Sequence, residues 1–182
     1  MSAAAWGADT LRVAAALGVV RDTLDRPGHV VPLDSLRRDI RRRTGATVTT
    51  DDVTDGDALD RAARVLASAV DSALLNLGTQ YMWVGTRETH RPVGIADPAN
   101  ALTTRATVEM RSGSVSTTTD AEKKVSVTVL ASSALVAEAW STALLGLGCD
   151  RALSLAAGVV CTDSVRVRWT PDLEGRVLVA RP

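Results

Sequence analysis

Residues 125–148 constrain the fold of this chain more than any other stretch. Val125, Val127, Val129 and Ala131 alternate with polar Ser126 and Thr128, which predicts a strand with those four residues on one face. Ser132 or Ser133 then stands as a helix cap, and an apolar helix is expected from Ala134 to about Leu147, closed by Gly148. This strand-to-helix unit anchors an α+β reading.

The rest of the pattern fits that class. Helical spacing predicts a first helix over Asp9–Asp25, stopped by Arg26-Pro27-Gly28, and another over Asp57–Ala69. Val30–Pro32 reads as a short strand, and Leu33–Arg43 is compatible with a helix capped at Asp34. The β-branched run Thr44–Thr50 predicts a strand, and Asp51–Gly56 a polar loop. Further strands are expected at Ser72–Leu77, Tyr81–Thr86 and Val93–Ala96. Thr104–Met110 and Ser114–Thr118, joined by Arg111-Ser112-Gly113, are expected to pair as a hairpin. Ala152–Ala157 reads as a short helix, and Gly158–Asp163, Val165–Thr170 and Arg176–Ala180 as closing strands. The whole predicts one α+β domain over residues 1–182, its sheet largely antiparallel.

Composition narrows the partners. With four Trp, one Tyr and no Phe, the core must be built from Ala, Val and Leu. Lys and Arg total 21 and Asp and Glu total 21, so nothing in the charge points to nucleic acid or an anionic membrane. The basic run Arg37–Arg43 reads as a solvated face, with a phosphate or acidic-partner patch as the sharper alternative. No apolar run reaches the roughly 20 residues that span a bilayer. The N-terminal residues carry no secretory pattern, so the cytoplasm is the expected compartment. Cys149 and Cys161 lie in apolar stretches with no zinc spacing, and buried free thiols are expected. His29 and His90 have no partner pattern and read as exposed loop histidines, while Trp83 and Trp140 read as core anchors rather than ring-stacking surfaces.

Several segments, in order, resemble one family. They are Asp60-Arg61-Ala62-Ala63, Val70–Gly78 with its Asn76-Leu77-Gly78 end, Trp83-Val84-Gly85 or Pro92–Pro98, Gly113–Asp120, and Ser126–Gly148. Together they are similar to the FAD:protein FMN transferase (ApbE) family, in a shortened form. The resemblance implies a magnesium-dependent enzyme that splits FAD and attaches FMN to a Thr or Ser of a flavoprotein. Glu138 and Thr142 occupy the positions of that family's Asp and Thr metal ligands, on one helix face at i, i+4 spacing. Asp52 falls near the metal position of an upstream loop, where Asp55 replaces the usual Lys or Glu. Gly78, Ser116, Thr117 and Thr118 fall at turns that the family uses near the flavin.

Two parts of the family pattern are not in this chain. Its His-x-x-Asp-Pro-x-Thr-Gly motif would lie between Asp120 and Val125, where only Ala121-Glu122-Lys123-Lys124 stands. The N-terminal region is short as well. A second reading therefore stands beside the first: an ApbE-like scaffold that serves as an accessory or binding protein, takes another small molecule, or is completed by a partner chain. On that reading Glu138 is a carboxylate at a helix start, Thr142 a backbone-bonded hydroxyl, Asp51, Asp52 and Asp55 a solvated turn, and Ser116–Thr119 a strand end.

Overall fold

A computed structural model describes residues 33–85 and 90–180. The helix and strand expected at Asp9–Asp25 and Val30–Pro32 lie outside the described residues, as does His29. The described elements run α1 (Leu33–Thr44), α2 (Thr54–Leu66), β1 (Ser72–Leu77), β2 (Gln80–Gly85), β3 (Arg91–Asp97), β4 (Asn100–Met110), β5 (Gly113–Asp120) and β6 (Val125–Ala131). They continue with α3 (Ala134–Leu145), α4 (Cys149–Leu155), β7 (Val159–Thr162), β8 (Val167–Trp169) and β9 (Val177–Val179).

All pairs among the described strands are antiparallel. Six strands form one sheet in the order β1-β2-β5-β6-β7-β8, and three form a second in the order β3-β4-β9. Strand alternation sorts the core. Val127, Val129, Val159 and Cys161 point to α3 and α4, where they pack with Leu135, Ala139, Trp140 and Leu144. Val115 and Val160 point the other way and meet Val93, Ile95, Val108 and Met110 of the smaller sheet. Helix α2 packs Leu59, Ala62, Ala63 and Leu66 onto Leu75 and Val84 at the β1 end. Helices therefore cover one face of the large sheet and the small sheet covers the other, an α+β arrangement as expected.

Three local expectations are corrected. Thr44–Thr50 is not a strand: Thr44 ends α1, Gly45 takes a φ of 78°, and Val48 is tucked into the helical core with no ladder partner among the described residues. β-branching fills that pocket without calling for a sheet. Residues 104–110 and 114–118 do not form a hairpin. β4 pairs with β3 and β9, whereas β5 pairs with β2 and β6, so Arg111-Ser112-Gly113 carries the chain from one sheet to the other. Cys149 and Cys161 are not free thiols but a disulfide with Cα atoms 5.4 Å apart, joining the start of α4 to β7. Both half-cystines are buried. In a thiol titration of the denatured protein, no thiol should react until reductant is added, and two should react afterwards.

The start of α3 is fixed from outside its own chain segment. Ser133 is its N-cap and accepts from the Val136 N–H. The Asp60 carboxylate of α2 accepts from Ser133 Oγ at 2.6 Å, Ala134 N at 2.7 Å and Leu135 N at 3.2 Å. An acceptor aimed at the free N–H groups of a helix start satisfies them and favours the dipole. Asp60→Ala should cost about 1 kcal/mol of stability in a denaturant titration, with Asp60→Asn closer to the parent protein.

Candidate functional site

The N-terminus of α2, the middle turns of α3, the β1–β2 turn and the strand β5 surround a cleft of about 360 Å³. Asp55 enters from the first turn of α2, and Glu138 and Thr142 from successive turns of α3. Ser116, Thr117, Thr118 and Thr119 line it from β5. Leu77, Thr79 and Gln80 complete the wall from the β1–β2 turn. Six residues proposed from the sequence thus border one space: Asp55, Glu138, Thr142, Ser116, Thr117 and Thr118. Gly78 sits at that turn with a φ of 58°, between wall residues Leu77 and Thr79, and is not itself on the wall. Asp52 is also off the wall. Its Oδ2 accepts from Thr49 N at 2.8 Å and Thr49 Oγ1 at 2.7 Å, and these bonds hold its carboxyl below the usual range.

Among the described residues, Glu138 is the group most perturbed by its setting. Burial, with the nearby negative charges of Asp55 and Asp52, pushes its carboxyl up to about 7. One interaction works the other way: Glu138 Oε2 accepts from the Gly56 N–H at 2.7 Å. That bond depends on a close approach of two helices. A Cβ on Gly56 would lie 2.6 Å from Leu135 Cα and 2.7 Å from the Ala134 carbonyl carbon. Only a residue without a side chain lets α2 bring its N–H onto Glu138.

The hydroxyls between β5 and α3 form a connected set. Ser141 Oγ, fully buried, lies 2.8 Å from Thr118 Oγ1 and 3.3 Å from Ser116 Oγ, and donates to the Glu138 carbonyl at 3.0 Å. Thr118 Oγ1 is in turn 3.5 Å from Thr142 Oγ1. On the opposite face of β5, Thr117 Oγ1 is 2.8 Å from Thr128 Oγ1, and Thr79 Oγ1 donates to the Thr117 carbonyl at 2.8 Å. Gln80 is buried and donates its amide N–H to the Ala134 carbonyl at 2.5 Å.

Chemically, the cleft offers oxygen donors: two carboxylates and several hydroxyls. None of the described lining residues is basic. Such a wall suits a hard cation that keeps several waters, and it opposes a bare phosphate. Asp55, Glu138 and Asp52 do not come together as a three-carboxylate cluster; among the described residues no group of three or more acidic, His or Cys side chains is set to hold a metal. A cation here would be held by few protein oxygens.

Sequence reasoning did not single out Gly56 as a donor, Gln80 as a wall residue, or Asp60 as a helix clamp. Their roles depend on contacts between segments 54 to 82 residues apart. Ser141 carried the one available signal, since it follows Glu138 by three residues and shares its helix. The remaining candidates fall elsewhere. Trp83 and Trp140 are buried core residues, each with an arginine over its ring, Arg91 and Arg43 respectively. His90 is exposed and meets Glu109. The basic run on α1 is partly tied down: Arg37 bonds Thr50, Arg42 bonds Asp39, and Arg43 bonds the Leu155 carbonyl. No helix among the described residues is long and apolar enough to cross a membrane.

The fold and the chain both have relatives. A crystal structure of the Pseudomonas stutzeri flavinyl transferase ApbE in its apo form superposes with a TM-score of 0.54 at 21% identity. The match covers 71% of this chain and 51% of that one, so the present chain spans about half the length of its structural neighbour. Comparison with curated proteins gives no match. The ApbE family pattern matches residues 4–125, about two thirds of the sequence, and the chain belongs to the ApbE family.

Proposed function

We propose that the cleft binds the pyrophosphate of FAD through a magnesium ion, and that the chain transfers FMN to a Thr or Ser of a flavoprotein. The observation that carries this reading is the meeting of Asp55, Glu138, Thr142 and the Ser116 and Thr118 hydroxyls at one cleft. Family membership and the name of the structural neighbour support it. Glu138, Asp55 and the Thr142 hydroxyl would hold the cation. Asp52, turned to Thr49, would contribute charge rather than an oxygen. Magnesium would neutralise the phosphoryl oxygens and the leaving nucleotide. The residues fit that ion: Glu138 keeps one oxygen for Gly56 and leaves the other, and magnesium commonly takes only one or two carboxylates besides water and phosphate. The hydroxyls of Ser116 and Thr118 would line the path of the bound nucleotide, and Gly78 would let the backbone approach it. Incubation with FAD, Mg²⁺ and a flavoprotein acceptor should give covalent flavin fluorescence on a denaturing gel. No transfer to a proven acceptor would overturn the catalytic part.

One observation favours the second reading, an ApbE-like scaffold without transfer that serves as an accessory or binding protein or takes another small molecule. β5 and β6 are closed by a turn of residues 121–124, with Asp120 paired to Val125 and the Lys123 ammonium 2.7 Å from Asp120 Oδ2. By the sequence resemblance, the family's His-containing loop would stand at this turn. On this reading FAD does not bind in calorimetric titration even at high Mg²⁺, and micromolar binding would count against it. The disulfide suits an oxidising compartment better than the cytoplasm expected from the sequence.

A further inference from the structure

We propose that Ser141 is a positioning residue that orders the Thr142 hydroxyl as an oxygen donor toward a cation in the cleft; this rests on the metal reading given above. Proton direction decides the arrangement. A hydroxyl has a single proton to donate and two lone pairs to accept with. Ser141 Oγ has three neighbours: the Glu138 carbonyl at 3.0 Å, Thr118 Oγ1 at 2.8 Å and Ser116 Oγ at 3.3 Å. The carbonyl can only accept. All three contacts are satisfied together in one arrangement, in which Ser141 donates to the Glu138 carbonyl and both Thr118 and Ser116 donate to Ser141. Ser141 is fully buried, so water does not compete for these bonds.

Thr118 has then used its proton. Toward Thr142 Oγ1, 3.5 Å away, it can act only as an acceptor. The Thr142 proton is drawn to Thr118, and its lone pairs are left for the cleft. A cation binds lone pairs and repels an O–H aimed at it, so this polarity favours metal uptake. The same helix carries Glu138, whose Oε2 is occupied by the Gly56 N–H. Both side chains are therefore turned so that one oxygen of each remains for an ion, and neither needs rearrangement when it arrives. Without the Ser141 hydroxyl, the Thr118 proton is released to point at Thr142, and the polarity of the chain reverses.

The test is Mn²⁺ and Mg²⁺ affinity, read by calorimetry and by the Mn²⁺ spin-resonance signal, in the whole protein without flavin. Ser141→Ala and Thr118→Val should each weaken binding about tenfold, while Thr118→Ser, which keeps the hydroxyl, should bind as the parent does. Thr142→Val should lose more than either. Thermal midpoints without metal separate folding defects from affinity, and the Thr118→Val and Thr118→Ser pair serves should Ser141→Ala fail to fold. Unchanged affinity in Ser141→Ala or Thr118→Val, with binding lost in Thr142→Val, would overturn the relay and leave the metal site standing. No uptake by the parent protein, or equal uptake by Thr142→Val, would overturn both.

Discussion

Gly56→Ala is expected to destabilise the protein by about 3 kcal/mol. The new Cβ would sit 2.6 Å from Leu135 Cα and 2.7 Å from both the carbon and the oxygen of the Ala134 carbonyl. These are backbone atoms of a helix start, held by the Asp60 carboxylate and by Gln80, so no flexible side chain can swing aside. The two helices must separate by several tenths of an ångström. That shift also opens contacts of Leu59 and Ala62 in the small core around Ala134. Helix propensity runs the other way, since Ala is a better helix former than Gly by about 1 kcal/mol, and the collision outweighs it. The urea midpoint is the measurement. An unchanged or raised midpoint would mean that α2 and α3 are not in contact at Gly56. The variant should also lose metal affinity, because the N–H that holds Glu138 moves with α2.

The contrast between the strand-to-helix unit at residues 125–148 and the segments misread from the sequence has a physical basis. Val125–Ala131 and the Ser133-capped helix are written in local signals: alternation, a cap and an apolar run. The Ser133 cap marks the helix start, which Asp60 then reinforces, and the helix ends two residues before the expected Leu147, at Leu145 with Gly146 as its C-cap. Thr44–Thr50 carries β-branched residues for another purpose, burying Val48 against the helices, and that no described strand pairs with it is invisible locally. The residues around Arg111-Ser112-Gly113 show two alternating runs and a turn, the ordinary marks of a hairpin. Whether such a turn folds two strands together or passes the chain between sheets depends on which other strands compete for their edges. Here β3 and β9 take β4, and β2 and β6 take β5. The disulfide was equally hidden, since a separation of 12 residues says nothing about whether α4 returns Cys149 to β7.

The site was legible where it followed helix geometry and opaque where it followed packing. Glu138 and Thr142 share a face because i and i+4 always do, and both reach the cleft. The family resemblance puts Asp52 near the metal and Asp55 on the cofactor side. The structure separates them by one turn: Thr49 captures Asp52, and Asp55 emerges on the first turn of α2 at the cleft. The clamp of Asp60 on α3 is what brings the two helix starts side by side, and through them Asp55 and Glu138.

That proximity makes Glu138→Gln stabilising at mildly alkaline pH, by about 2 kcal/mol after allowance for the side chain's partial contact with water. The sign follows from the direction of the shift. The carboxyl rests near 4.5 in an unfolded chain and is raised to about 7 when folded, by burial first and then by Asp55 and Asp52. Below the unfolded value both states are protonated and the group is neutral in its effect on stability. As pH rises from 4.5 toward 7 the unfolded state ionises while the folded state resists, so stability falls; beyond 7 the loss is complete. Glutamine keeps an oxygen for the Gly56 N–H and removes the charge, so the variant should match the parent at pH 4 and exceed it at pH 8. Denaturant titrations at the two pH values measure this, and equal stabilities at pH 8 would mean that Glu138 ionises without cost. Magnesium should reverse the ranking. A cation that binds the ionised carboxylate stabilises only the folded parent by mass action, so saturating Mg²⁺ at pH 8 should raise the parent's unfolding midpoint and leave Glu138→Gln nearly unmoved. An equal rise in both would place the ion away from Glu138, and the penalty on this buried carboxylate would then need another use.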